Sequence, residues 1–360
     1  MSAIAKEQDI RIFAAPDVWA GNPNVALLQD GSPLIGFRCS AFPFRGDSDP
    51  TLRPYTMKAA SIDAIAEAER VMVLDEPNSL TPGLFQRQDG TILAYFNRYG
   101  THQPDQRAEL EAAGKTPFTE RDGLLFTREP ITIMSSQDGL SWRRFSEIDL
   151  PDFLYPPAFR GNMLHGDGGS ILLSAYTSRK EGGPRQMISL LIRSGDGGKT
   201  WELVSEIAEH PEPAVYFNET SLYRTAAGRL LAFLRIDGGD GHLYTAASED
   251  DGATWQPFRR HEVYGFPHNV LRLPSGNVLL TYGARKPPMG VRGRLLGPDC
   301  NDIDEAEEFI IRGDSATGGC GYPAAVQLPD GRILVVYYLT LDAGGPACIE
   351  GSILREETKE

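Results

Sequence analysis

The chain has 360 residues, of which 41% are hydrophobic and 38 are glycine, and its formal net charge is −14. This composition suits a turn-rich all-β protein, and no apolar run is long enough to span a bilayer as a helix. Diffuse negative charge with no basic run repels nucleic acid and anionic membrane surfaces, which excludes both as expected partners while leaving room for a local cationic pocket.

Residues 1–8 carry no hydrophobic signal segment, and a cytoplasmic location is expected from that. The next residues, Asp9–Phe13 (DIRIF), read as a strand that precedes the first repeat. Six stretches then repeat one hairpin pattern: an apolar strand, a tight turn ending in Gly, and a second apolar strand. The turn glycines are Gly31, Gly90, Gly169, Gly228, Gly276 and Gly331, spaced by 59, 79, 59, 48 and 55 residues. Spacings of blade length over the whole chain predict a six-bladed β-propeller forming a single domain over residues 1–360.

The long second spacing arises between Arg98 and about Pro130, a charged and polar segment expected to be a loop inserted as a lid, 98–130. Farther on, Ser194–Trp201 (SGDGGKTW) and Ser248–Trp255 (SEDDGATW) match S-x-D-x-G-x-T-W, and Ser136–Trp142 (SQDGLSW) is one residue short. An Asp that accepts from the turn backbone, a Gly at positive φ and a Trp between sheets make such a box structural. The last repeat shows three clear strands, around residues 324–328, 333–339 and 347–354. An open edge there would invite aggregation, so Asp9–Phe13 is predicted to close the ring as the fourth strand.

Strand direction decides which residues meet. Nine residues before each turn glycine stand Asn22, Thr81, Arg160, Glu219, Pro267 and Tyr322; seven after it stand Arg38, Asn97, Tyr176, Arg235, Gly283 and Tyr338. Both sets fall on the face opposite the turns, the first ringing the channel and the second just outside it. Tyr322 and Glu219 share one phase, and together they suit a sugar whose anomeric carbon bears a carboxylate. A neutral phenol avoids the repulsion a carboxylate nucleophile would meet, and the glutamate takes its proton.

The four cysteines have no disulfide or zinc spacing, and no His pair stands at i, i+4 with a glutamate, so no metal is indicated. The glycine-rich segments are hairpin turns rather than phosphate loops, so no cofactor is expected. His268, beside Pro267 at the channel rim, is a candidate ligand contact.

The boxes resemble the Asp boxes of the sialidase (neuraminidase) superfamily, whose members are six-bladed propellers. The resemblance implies Tyr322 as nucleophile, Glu219 as its base, and Arg235 at the end of the following strand. It also places the acid/base on the loop Arg45-Gly46-Asp47-Ser48-Asp49-Pro50, with Asp47 the first choice and Asp49 the second, beside Arg38. One family arginine opens the first blade's inner strand, where this chain has Asn22. Losing such a clamp residue costs roughly 1.5–3 kcal/mol per charge-assisted bond. Arg160 and Arg285 are candidate substitutes, and the family's third arginine is left among Arg259, Arg260 and Arg285. The implied function is an exo-acting retaining glycosidase on a carbohydrate ending in sialic acid or a related keto-deoxy or uronic sugar. A glycosidase or lyase on a neutral or uronic sugar, with Glu219 or His268 as catalyst, and a non-catalytic glycan- or protein-binding propeller are the alternatives.

Overall fold

A computed structural model describes residues 2–180, 186–212 and 214–358. Among the described residues the strands form six antiparallel sheets, each with at least four strands in the order of a propeller blade. Blade 1 comprises Val18–Leu27, Pro33–Ala41, Arg53–Lys58 and Arg70–Met72. Blade 2 comprises Gly83–Gln86, Ile92–His102, Leu124–Ser136 and Arg143–Ile148. Blades 3, 4 and 5 open with Met163–His165, Tyr216–Arg224 and His268–Arg272.

Blade 6 is built from Gly321–Gln327, Ile333–Leu339 and Cys348–Thr358, with Ser2–Phe13 as its outer strand. The expected closing strand is therefore present and longer than DIRIF. It pairs with the last strand from Ser2↔Thr358 to Phe13↔Ile349, so the first and last described strands are fastened in one sheet. All six turn glycines have φ between 82° and 92°, a region that a Cβ would strain, which explains why the repeat keeps Gly there.

The Asp boxes join the third and fourth strands of blades 2, 3 and 4. Asp196 Oδ1 accepts from the backbone N–H of Lys199 and Thr200, while Ser194 Oγ accepts from Gly198 N. The box glycines then reach the preceding blade: Thr56 donates to Gly139 O, Ser146 to Gly198 O and Ser205 to Gly252 O. Each box thus also ties neighbouring blades together.

Residues 98–130 are not the loop expected from the sequence. Arg98 to His102 pair with Glu129 to Leu125, so the second and third strands of blade 2 continue outward as a hairpin. A short strand, Thr119–Arg121, adds to it, and the helix Arg107–Ala112 sits at its tip. Residues 125–128 are buried without alternation and the exposed charges fall in the connecting segment, so no period-two pattern marks the ribbon as strand.

Candidate active site

The inner strands of blades 1, 4 and 6 share one irregularity. Their ladders skip between Gly21 and Asn24, between Asn218 and Ser221, and between Gly321 and Ala324. In each bulge the residue nine before the turn glycine is left-handed: φ is 52° at Asn22, 38° at Glu219 and 51° at Tyr322. Non-glycine residues there are strained and persist only where the surroundings enforce them. At the entry to blade 6, a Cβ on Gly321 would lie 2.8 Å from Gly283 Cα, so the backbones meet where only glycine fits.

The bulges turn Asn22, Glu219 and Tyr322 into a cavity of about 220 Å³ at the channel mouth, whose wall also includes Arg38, Asp47, Thr81, Arg160 and Arg285. The expected separation into an inner and an outer ring is only partial. Asn97, Tyr176 and Tyr338 of the second set also line the cavity, whereas Pro267 lies beneath it.

Tyr322 Oη donates to Glu219 Oε1 at 2.8 Å and lies 3.1 Å from Oε2. Arg235 Nη1 donates to Tyr322 Oη at 2.8 Å and forms an ion pair with Glu219 Oε2. Its Nη2 is held by Asp237 at 3.0 Å. Asp237, which also accepts from Asn218 Nδ2, follows Arg235 by two residues on the same strand face. Burial, and after it the charge of Glu219, holds the Tyr322 phenol well above its ordinary range, so the phenol is neutral until a base takes its proton. Burial opposes the charge of Arg235, but Glu219, Tyr322 and Asp237 outweigh it and hold the guanidinium firmly protonated.

Arg38, almost wholly buried, extends Nη2 to Asp47 Oδ1 at 2.7 Å, and the Asp47 side chain is 55% exposed at the cavity rim. The Arg38 guanidinium carbon lies 5.5 Å from the Trp19 ring and 5.7 Å from Phe44, which stack at 3.9 Å as an aromatic wall. Arg160 enters from blade 3. Its Nη2 donates to the Asn22 and Pro23 carbonyls at 2.8 and 3.1 Å, and its guanidinium carbon lies 4.6 Å from the Tyr322 ring. Burial pushes its pKa down. Arg285 packs on Phe266 at 4.9 Å, and its Nε is buried with no hydrogen-bond partner. Among the described residues neither Arg160 nor Arg285 has a carboxylate within ion-pair distance.

Two expectations need correction, and one open choice is narrowed. Asp49 is 2% exposed and does not face the cavity. Its carboxylate accepts from Arg45 N at 3.1 Å, Thr51 N at 2.9 Å and Thr51 Oγ1 at 2.6 Å, so it fastens the loop that carries Asp47. His268 is 3% exposed and lies outside the cavity wall, lining a small void beneath it. Burial, then Arg235, pushes its pKa down to about 3, so it is a neutral packed imidazole. Arg259 and Arg260 sit on the outer strand of blade 4, paired with Asp304 and with Asp240 and Glu262, which leaves Arg285 as the cavity arginine among the three. Asp237, Trp19, Phe44 and Tyr99 were not singled out from sequence. The i, i+2 spacing of Asp237 from Arg235 was the one available signal among them.

Residues 68–336 match the BNR repeat-like domain family. The chain belongs to the BNR-repeat family. The BNR-repeat chain is 32% identical to a Dyadobacter fermentans protein of unknown function, covering 98% of this chain and 99% of that one with a TM-score of 0.87. The NanB sialidase of Streptococcus pneumoniae shares its fold at 15% identity, with a TM-score of 0.66 over 96% of this chain and 70% of that chain. An α-L-arabinanase of Penicillium chrysogenum does so at 12% identity, with a TM-score of 0.65 over 97% and 98%. None of the curated proteins matches. The BNR-repeat protein is thus a six-bladed propeller whose fold is shared by sialidases and by an α-L-arabinanase.

Proposed function

We propose that this protein is an exo-acting, retaining glycoside hydrolase that removes a terminal acidic sugar from a glycan. One observation carries the reading: a buried phenol hydrogen-bonded to a carboxylate at 2.8 Å, in a cavity walled by Arg38, Arg160 and Arg285, of which only Arg38 has an acidic partner among the described residues. A chain of net charge −14 that concentrates guanidinium groups in one enclosed place favours an anionic ligand there.

In the first step Tyr322 Oη attacks the anomeric carbon while Glu219 takes the phenol proton, and Asp47 protonates the departing oxygen as its bond to that carbon breaks. In the second, water deprotonated by Asp47 attacks the same carbon, and the phenolate leaves and recovers its proton from Glu219. Two inversions give net retention. Arg235 stays within reach of Tyr322 Oη throughout and stabilises negative charge developing there. Arg38 holds Asp47 at the cavity rim. A substrate carboxylate offers Arg38 a competing partner.

Asn22 favours a second reading, a neutral sugar. It supplies an amide where the superfamily clamp has an arginine, and the same fold occurs in an α-L-arabinofuranosidase of Fusarium graminearum. A panel of sialosides, keto-deoxy glycosides, uronides and arabinofuranosides tests both. The acidic-sugar reading expects turnover confined to anionic glycosides, with the α-anomer of a sialoside released first. Turnover of arabinofuranosides alone overturns it, and binding without turnover on every glycoside overturns catalysis.

A further inference from the structure

Arg128 lies beyond this machinery, on the third strand of blade 2, opposite Tyr99 in the ladder. It is 7% exposed, and its guanidinium carbon sits 5.4, 5.5 and 5.6 Å from the rings of Phe118, Tyr155 and Tyr176. Among the described residues Nε and Nη1 are buried with no hydrogen-bond partner, and Nη2 reaches only the Met187 sulfur at 3.9 Å. Among the described residues no carboxylate pairs with it.

A guanidinium keeps its charge inside a protein, and three ring faces offset only part of the cost of burying it. Rings also leave its N–H donors unmet. What those donors match is the oxygen pair of a carboxylate, sulfate or phosphate.

The cage adjoins the main cavity. Tyr176 and Tyr99 belong to the cavity wall, and Phe118, half-buried, stacks on Tyr99 at 5.0 Å. The same hairpin lays Arg121 against Gly46, next to Asp47, so tightly that a Cβ on Gly46 would lie 2.4 Å from Arg121 Nη1. The side of the cavity that holds the proton donor must also hold the leaving group. We infer that Arg128 forms a second oxyanion subsite, covered by Phe118, for an acidic substituent on the leaving-group part of the glycan. The term leaving group rests on the hydrolase reading; the anion site itself does not.

Titration calorimetry with inorganic sulfate tests the site without turnover. In Arg285→Met, which removes one of the two main-cavity arginines that lack a carboxylate partner, sulfate should still bind saturably. Adding Arg128→Met should then weaken it at least tenfold, and Phe118→Ala in the Arg285→Met background should tighten it. Sulfate binding absent in Arg285→Met, or unchanged by Arg128→Met, overturns the subsite. The unfolding midpoint of ligand-free Arg128→Met should equal or exceed that of the parent; a drop of several degrees would assign Arg128 to packing instead. If no glycoside is hydrolysed, the catalytic reading fails while the sulfate result stands separately. If glycosides are hydrolysed, a sulfated leaving sugar should be preferred about tenfold in kcat/KM, a preference that Arg128→Met removes.

Discussion

Replacing Tyr322 by Phe removes one oxygen and leaves the ring that Arg160 faces at 4.6 Å. The lost hydroxyl donates to Glu219 and accepts from Arg235, each at 2.8 Å, but the Glu219–Arg235 ion pair and the Arg235–Asp237 contact do not pass through it. A hydrogen bond to a charged group contributes about 1.5–3 kcal/mol net, and the surviving ion pair keeps the cost near the lower end. For a chain of this size that is a shift of a few degrees in Tm. Turnover loses the atom that bonds the anomeric carbon. A loss of at least a hundredfold in kcat is expected, ~2.7 kcal/mol of barrier, with KM nearly unchanged because the arginines remain. Steady-state rates on a fluorogenic glycoside that the wild type cleaves, measured beside thermal unfolding, separate the two effects. A folded Tyr322→Phe protein with kcat within tenfold of wild type would make Tyr322 a binding residue and refute the nucleophile assignment.

The two aspartates of one loop should behave differently. Asp47→Ala should abolish cleavage of glycosides with poor leaving groups and largely spare 4-nitrophenyl glycosides; Asp49→Ala should lower stability by about 1–3 kcal/mol while keeping the ratio of the two rates, since two backbone N–H groups and Thr51 Oγ1 lose their acceptor. Urea midpoints and rates on both substrate types check this, and identical behaviour of the two variants would contradict it. Arg285→Met should raise KM for an anionic glycoside at least tenfold with little change in kcat, and an unchanged KM would place the substrate elsewhere. Acid should destabilise the fold in two windows. The unfolded His268 takes a proton below its ordinary 6.5 while the folded ring resists to about 3, so stability present above 6.5 is lost as pH falls between those values. Backbone donors of Thr200, ahead of the opposing effect of burial, hold Asp196 at about 2 against an ordinary 3.8, so its contribution is lost between 3.8 and about 2. Urea midpoints against pH for His268→Gln should be flatter in the first window, and those for Asp196→Asn flatter in the second; curves parallel to wild type would show these groups are not responsible.

The blade count, the ring closure and the meeting of Tyr322 with Glu219 were legible because a hairpin of fixed turn has a fixed phase. Counting back from Gly228 and Gly331 reaches the same structural position in each blade. What the count could not supply was the left-handed bulge that aims those two side chains, since no residue type in Asn22, Glu219 and Tyr322 announces a positive φ. Asp47 and Asp49 could not be separated by composition, because either can cap the turn and only the fold decides which carboxylate the backbone claims. Arg285 lies just past a strand end, where periodicity stops, so it could be distinguished from Arg259 and Arg260 only by seeing which cation faces inward. His268 looked like a rim residue because its neighbour Pro267 has the right phase, yet the strand beginning there turns its ring under the site. The hairpin of residues 98–130 was misread because residues 125–128 are all buried, with no alternation, and the exposed charged residues between 105 and 122 interrupt the ribbon.

The most direct measurement is trapping of the intermediate. A fluorinated glycosyl fluoride of the acidic sugar, which reacts with the nucleophile but turns over slowly, should leave one sugar covalently attached, and peptide mass spectrometry should place it on Tyr322. No adduct should form on Tyr322→Phe. An adduct on Glu219 or any other residue, or a wild type that consumes the reagent with inversion and no adduct, would contradict catalysis through the phenol.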